Sequence, residues 1–184
     1  MAMNRGRDAR MSVDGDELRN RLQDLLDNWR TSGVPPRWQL MNTLQHLLVW
    51  KENEQIPGLW NPAPLLLTAT LDDGWGHGLE VVELCARVAG LEVERLGLLQ
   101  TADRILGTCL QLRPQLLGLT ILQFDSEPSL KRIIEGLGKH TLLLAGGPIF
   151  QIDPELASRT GVHYVAKDVA DFLGIILNLN FTHS

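Results

Sequence analysis

The residues best placed to do chemistry lie in Asp72-Asp73-Gly74-Trp75-Gly76-His77-Gly78. Its three glycines, Gly74, Gly76 and Gly78, permit close backbone approach or positive φ. His77 is an imidazole that such a loop can bring to a metal. Two further stretches carry similar signals. Gly118-Leu119-Thr120-Ile121-Leu122 places a hydroxyl, Thr120, in an otherwise apolar strand, where it must find a partner. Leu143-Leu144-Ala145-Gly146-Gly147-Pro148 is a strand ending in a double glycine, which leaves room for something bulky against bare backbone. Taken singly, each is equally a tight turn or an ordinary strand end.

Other chemistries find less support. Gly74, Gly76 and Gly78 have the wrong spacing for a dinucleotide fingerprint. His46, His140 and His163 are too far apart in sequence for metal-ligand spacing. Cys85 and Cys109 form no Cys-x-x-Cys pair and suit small core positions in a reducing compartment. No nucleophile stands beside a base, and there is no convincing carboxylate pair. A formal net charge of -5 speaks against direct binding of nucleic acid or anionic membrane. With 44% hydrophobic residues but no apolar run long enough to span a bilayer, the expectation is a soluble, cytoplasmic, globular protein.

The elements that must position these residues follow from hydrophobic period. Residues 1–13 show none and are expected to form a flexible tail. Asp14-Gly15-Asp16-Glu17 offers a helix start, followed by the stripe Leu18, Leu22, Leu25, Leu26 and Trp29. After Gly33-Val34-Pro35-Pro36, a second stripe comprises Trp38, Met41, Leu44, Gln45 and Leu48. Residues 14–53 therefore form a helical hairpin, with Trp29, Trp38 and Trp50 at mostly apolar spacing and Trp60 in the linker beyond. Two helices have little core of their own, so the hairpin packs on the rest of the chain or on a second copy of itself. Residues 54–64 are a proline-rich linker.

From Leu65 onward strands and helices alternate. Strands are expected near 65–70, 91–96, 115–122, 141–145 and 162–165. Helices are expected near 78–89, 101–111, 127–137, 152–159 and 168–178. This pattern implies a five-stranded parallel sheet of flavodoxin-like order 2-1-3-4-5, with helices on both faces and the hairpin before it. Its ligand crevice lies at the carboxyl ends of strands one, three and four, where all three suggestive stretches fall.

In that order and spacing the stretches resemble the cobalamin-binding domain family of methionine synthase, methylmalonyl-CoA mutase and the corrinoid methyl carriers. The family's marks are Asp-x-His-x-x-Gly after strand one, Ser-x-Leu on strand three and Gly-Gly after strand four. This chain has Asp73-Gly74-Trp75-Gly76-His77-Gly78, Thr120-Ile121-Leu122 and Gly146-Gly147. The resemblance covers residues 65–178, within an α/β domain of residues 65–184. It implies that Thr120 supplies the hydroxyl for the nucleotide base of cobalamin and that Gly146 and Gly147 leave a slot for that tail. Trp75 stands where the family has its cobalt-binding His, and an indole N–H has no free lone pair for a metal. An alternative alignment makes His77 the axial ligand.

Several readings stay open on this basis. The leading one is a cobalamin-type tetrapyrrole-binding module of a regulatory or sensory kind, without a lower axial His, acting through protein–protein contacts and lacking catalytic apparatus of its own. A second is a methyl-corrinoid carrier of a methyltransferase system. A third is a haem sensor with His77 as axial ligand. In a fourth, Trp75 fills the crevice and the chain is a ligand-free scaffold. The partner is accordingly a regulator or a methyltransferase, with a homodimer through the hairpin as a further possibility. By the same resemblance, a hairpin Trp can cover the upper face of a corrin. Asp72-Asp73 with Lys167 also resembles the acidic pocket of response-regulator receivers. Receivers, however, place their Asp after strand three, where this chain has Gln123-Phe124-Asp125.

Overall fold

The computed structural model of the chain describes residues 5–72 and 77–181, with side chains from residue 16 onward except at 77 and 124. Helices α1 (Arg5–Ser32) and α2 (Arg37–Asn53) precede β1 (Leu65–Thr70), α3 (His77–Ala89), β2 (Glu92–Gly97), α4 (Ala102–Leu112) and β3 (Leu116–Thr120). There follow α5 (Glu127–Gly136), β4 (Leu142–Gly146), the short α6 (Ile149–Ile152) and α7 (Leu156–Thr160), β5 (Tyr164–Ala166) and α8 (Val169–Asn178). The strands form one sheet in the order β2-β1-β3-β4-β5, every pair parallel, as the strand–helix alternation requires.

Several boundaries depart from the sequence reading, among them β5, which runs Tyr164–Ala166 where 162–165 was expected. Helix α1 starts at Arg5, within the segment read as a tail, because Arg, Ala and Met in residues 5–13 are good helix formers and no proline intervenes. The helix expected over 152–159 is two short ones, interrupted at Asp153-Pro154, since Pro cannot donate the N–H that a continuous helix needs. Strand β3 stops at Thr120 rather than 122, because the Leu122 N–H leaves the sheet for the Asp72 carboxylate.

Alternation along the strands sorts the core into two layers. One face carries Leu66, Leu116, Leu144 and Ala166, covered by α1, α2, α3 and α8. The other carries Leu67, Ala69, Leu117, Leu119, Leu143 and Ala145, covered by α4, α5 and α7. The hairpin belongs wholly to the first face: α1 lies on α8 and α2 on α3. Leu18, Leu22, Leu26 and Trp29 are buried there, so the apolar stripe available for a second copy is spent within the chain.

Helix α2 buries much of the expected stripe, with Leu44 enclosed and Met41 and Leu48 packed on the core, but not its first residue. Its buried residues are Leu40 and Leu44, whereas Trp38 is 71% exposed. Its packing on α3 rotates the buried face toward Leu40 and leaves Trp38 at the edge outside. The other hairpin and linker tryptophans do pack: Trp50 under the Arg21 guanidinium and Trp60 edge-on to Phe181.

The linker is pinned to the sheet domain. Leu59 N–H donates to Ala89 O (2.9 Å), and Gly58 lies against Gly90 so closely that a Cβ on Gly90 would overlap the Gly58 Cα. Only a pair of glycines allows this approach.

Candidate functional site

Rows of residues facing the hairpin side explain why a cavity opens there. Thr68 pairs with Gly118, and Thr70 with Thr120, which in turn pairs with Gly146. Glycines at 118 and 146 leave the carboxyl half of this face without the side chains that would otherwise meet α3 and α8. The result is a cavity of about 530 Å³. Its size falls in the range of small-ligand sites. Gly118, Thr120 and Leu144 line it from the sheet, and Gly78, Leu79, Val81 and Val82 from α3. Val169 and Phe172 of α8 close the far side, and Val34, Arg37 and Leu40 of the hairpin complete the wall.

The predicted site residues fall into two groups. Gly78, Thr120, Leu122, Gly146 and Gly147 come together as lining of this one cavity. Asp73, Gly74, Trp75 and Gly76 lie outside the described residues, as does the side chain of His77, so their expected roles at the cofactor or a metal concern positions not described. The remaining lining residues were not singled out from sequence as part of a site: Val34, Arg37, Leu40, Asp168, Val169 and Phe172 among them.

The double glycine has a reason besides the ligand. Gly147 has φ +120°, and a Cβ there would overlap the Ile121 carbonyl oxygen, so the room expected beside it is taken by the chain itself. A Cβ on Gly146 would similarly come within 2.9 Å of Ala166 O, yet both glycines still present backbone to the cavity. Thr120 is half-buried at the rim, in the row Thr70–Thr120–Gly146.

Asp72 builds the rim. Its carboxylate accepts from Leu122 N–H (2.6 Å) and Ser126 Oγ–H (3.0 Å), while its carbonyl accepts from Thr70 Oγ1–H (2.7 Å). A buried carboxylate thus ties the loop after β1 to the loop after β3. With each oxygen accepting one of these bonds, Asp72 acts here as a brace between the two loops.

A second buried carboxylate stands behind the cavity. Glu83 of α3 accepts from Thr68 Oγ1–H (2.6 Å) and from Arg95 Nε–H (2.8 Å), spanning β1, α3 and β2. The Glu83 hydrogen bond also holds the Arg95 guanidinium above its ordinary basicity. His163 is structural: its Nδ1 accepts the Leu143 N–H (2.9 Å) just before β4 pairs with β5. Cys85 and Cys109 are buried free thiols, pushed up to about 12 and about 11 by desolvation. Among the described residues no cluster of three His, Cys, Asp or Glu can hold a metal, and no helix is long and apolar enough to cross a membrane.

The cavity thus sits at the carboxyl edge of a 2-1-3-4-5 sheet, between the first and last helices of the α/β domain. The sequence matches the family model of the B12 binding domain over residues 65–172, more than half of the chain. The chain belongs to the B12-binding domain family. That match begins at the first residue of β1 and ends within α8, so the hairpin lies outside it.

Solved structures share this B12-binding fold, hairpin included. A cobalamin-binding protein from Desulfitobacterium hafniense DCB-2 superposes with a TM-score of 0.70 at 16% identity, over 95% of this chain and 89% of that one. The monomethylamine corrinoid protein of Methanosarcina barkeri gives 0.58 at 15% identity, over 85% of this chain and 77% of that one. A chain of the methanol:cobalamin methyltransferase complex MtaBC from the same organism gives 0.61 at 16% identity, covering 90% of this chain and 66% of that one. No curated protein sequence matches this B12-binding chain. Haem finds no support in any of these likenesses.

Proposed function

We propose that this chain is a corrinoid-binding module that holds the nucleotide tail of a cobalamin-type ligand in the cavity between the sheet, α3 and α8. The supporting observation is the cavity itself: about 530 Å³, largely apolar, and opened by Gly118 and Gly146 at the sheet's carboxyl edge. The residues fit the group. Leu79, Val82, Leu144 and Phe172 suit a flat apolar base, Thr120 offers the rim hydroxyl, and Gly146 and Gly147 line the cavity with backbone. When bound, a corrinoid supplies a cobalt centre able to exchange its axial groups.

Trp75, at the family's His position, gives cobalt no lower protein ligand in this reading. A module of that kind suits sensing or regulation through a protein partner better than repeated methyl transfer. The carrier reading is the second, favoured by the names of two structural neighbours, a corrinoid protein and a methyltransferase complex.

The test is titration of the whole chain with hydroxocobalamin and adenosylcobalamin, followed by visible spectra and co-elution on gel filtration. Stoichiometric binding with the ligand's own base off cobalt, and no protein imidazole in its place, is expected, unchanged by His77→Ala. Trp75→His is expected to convert the spectrum to one with a protein imidazole. Absence of binding by the wild-type chain sinks the reading. A protein-imidazole spectrum that His77→Ala abolishes returns His77 to the metal and favours the carrier.

A further inference from the structure

The charged residues among the described lining of the cavity are Arg37, Lys167 and Asp168. Asp168 is occupied at the start of α8, where its Oδ1 accepts the Asp171 N–H (2.9 Å). Lys167 follows β5 and is exposed. Arg37 is different in origin. It sits in the first turn of α2, outside the residues that the family model matches, and its guanidinium is paired with Glu80 in the first turn of α3. That ion pair crosses the cavity wall from hairpin to sheet domain, with both side chains partly exposed.

We propose that Arg37 is a specificity-determining residue, carried by the hairpin, that recognises the phosphodiester of a corrinoid's nucleotide tail. The inference rests on the corrinoid reading above and adds to it the role of the hairpin. A planar guanidinium presents five N–H donors in a fork that matches two phosphate oxygens, so Arg37 can exchange partners and turn that fork to the phosphodiester. The Glu80 pair costs little to rearrange, because an exposed ion pair is worth little. An anion set against apolar walls gains more from the same fork than it would in water. The neighbouring Val34 and Leu40 supply apolar contact beside it. Recognition of this kind makes the chain prefer corrinoids that retain the nucleotide loop over those lacking it.

The test compares two ligands by equilibrium dialysis on the full chain: hydroxocobalamin, which has the loop, and dicyanocobinamide, which does not. Wild type, Arg37→Gln, Arg37→Lys, Glu80→Gln and Lys167→Gln are measured, each with its melting temperature without ligand. Arg37→Gln is expected to weaken hydroxocobalamin about tenfold while leaving cobinamide within about twofold. Arg37→Lys restores part of the loss, because charge returns without the fork. Glu80→Gln is expected to bind as well as wild type or better.

Equal losses for both ligands in Arg37→Gln, or no loss for either, would mean that Arg37 merely ties two helices together, and would overturn the inference while the corrinoid reading stands. A selective loss in Lys167→Gln but not in Arg37→Gln overturns it too. If the wild-type chain binds neither ligand, the corrinoid reading itself fails and this inference falls with it.

Discussion

The two faces of one sheet are built from alternating residues of the same strands, yet one is packed solid toward the carboxyl edge and the other is hollow. On the packed face Ala69, Leu119, Ala145 and Ile121 are fully or almost fully buried against Leu130, Ile133 and Ile149. On the hollow face the corresponding rows are Thr68–Gly118 and Thr70–Thr120–Gly146. The difference amounts to a few missing side chains at alternate positions. It shows that a cavity needs no special backbone: the period-2 alternation of a strand lets one face keep the fold while the other is emptied for a ligand.

Truncation should cost the two faces differently. Leu117→Ala, on the packed face, removes a fully enclosed side chain and is expected to lower the free energy of urea unfolding by about 4 kcal/mol. Leu144→Ala enlarges a space that already exists and should cost about 2 kcal/mol, since its side chain has fewer neighbours to lose. Equal costs would mean that the hollow face is filled in solution.

Adding atoms should sharpen the contrast in the opposite sense. Gly118→Leu places its branch in the cavity, with a Cβ 3.4 Å from the nearest Leu66 methyl, an ordinary contact. Corrinoid binding in the titration is expected to weaken by more than about a hundredfold, with an unfolding free energy within about 1 kcal/mol of wild type. Ala145→Leu adds comparable volume on the packed face and is expected to destabilise by about 1–3 kcal/mol while leaving the cavity open. Gly118→Leu that still binds at wild-type strength would move the ligand elsewhere.

A smaller effect attends the polar brace behind the cavity. Glu83→Gln keeps an acceptor for the Thr68 hydroxyl but removes the charge facing Arg95, whose side chain is 46% exposed and so regains water. The expected loss is about 1–2 kcal/mol in urea unfolding, well short of what an enclosed orphan charge would cost. A loss above that range would show that Arg95 is sealed from solvent.

The smallest contrast concerns one thiol beneath each face, Cys85 and Cys109, which burial pushes up to about 12 and about 11. A thiol raised in the folded state favours folding fully only below the unfolded thiol range, about 8.5. Stability should therefore be flat to about pH 8 and decline as pH rises from there toward the folded values. Urea midpoints between pH 7 and 10 check this, and neither thiol should react with a disulfide reagent at pH 8 before unfolding. Rapid labelling of Cys85 alone would indicate that the hairpin opens.

Much of this contrast was legible in the sequence because the sheet's strands are short apolar runs with glycine or proline near their ends. Leu65–Thr70 and Leu142–Gly146 fall within one residue of expectation. Thr120, Gly146 and Gly147 stood out as polar or bare positions in apolar strands, and they do line one cavity. What escaped was whatever depends on rotation or on distant partners. Leu40 and Trp38 carry equivalent apolar signals, and only docking on α3 decides which turns inward. Glu83 looks like the wet side of an amphipathic helix until Thr68 and Arg95 are brought to it by β1 and β2. Arg37 becomes part of the cavity only because the linker folds the hairpin back over α3.

That fold-back is closest where two backbones touch, Gly58 on Gly90. Mechanically the contact is a fulcrum. Helix α2 runs for 17 residues from Arg37 at the cavity to Asn53 near the linker, an arm of about 25 Å. A tilt of about 5° at the pivot swings the far end by about 2 Å, as much as separates a good hydrogen bond from a broken one. A methyl group at either glycine, remote from every residue that lines the cavity, would thus retune ligand preference by leverage alone.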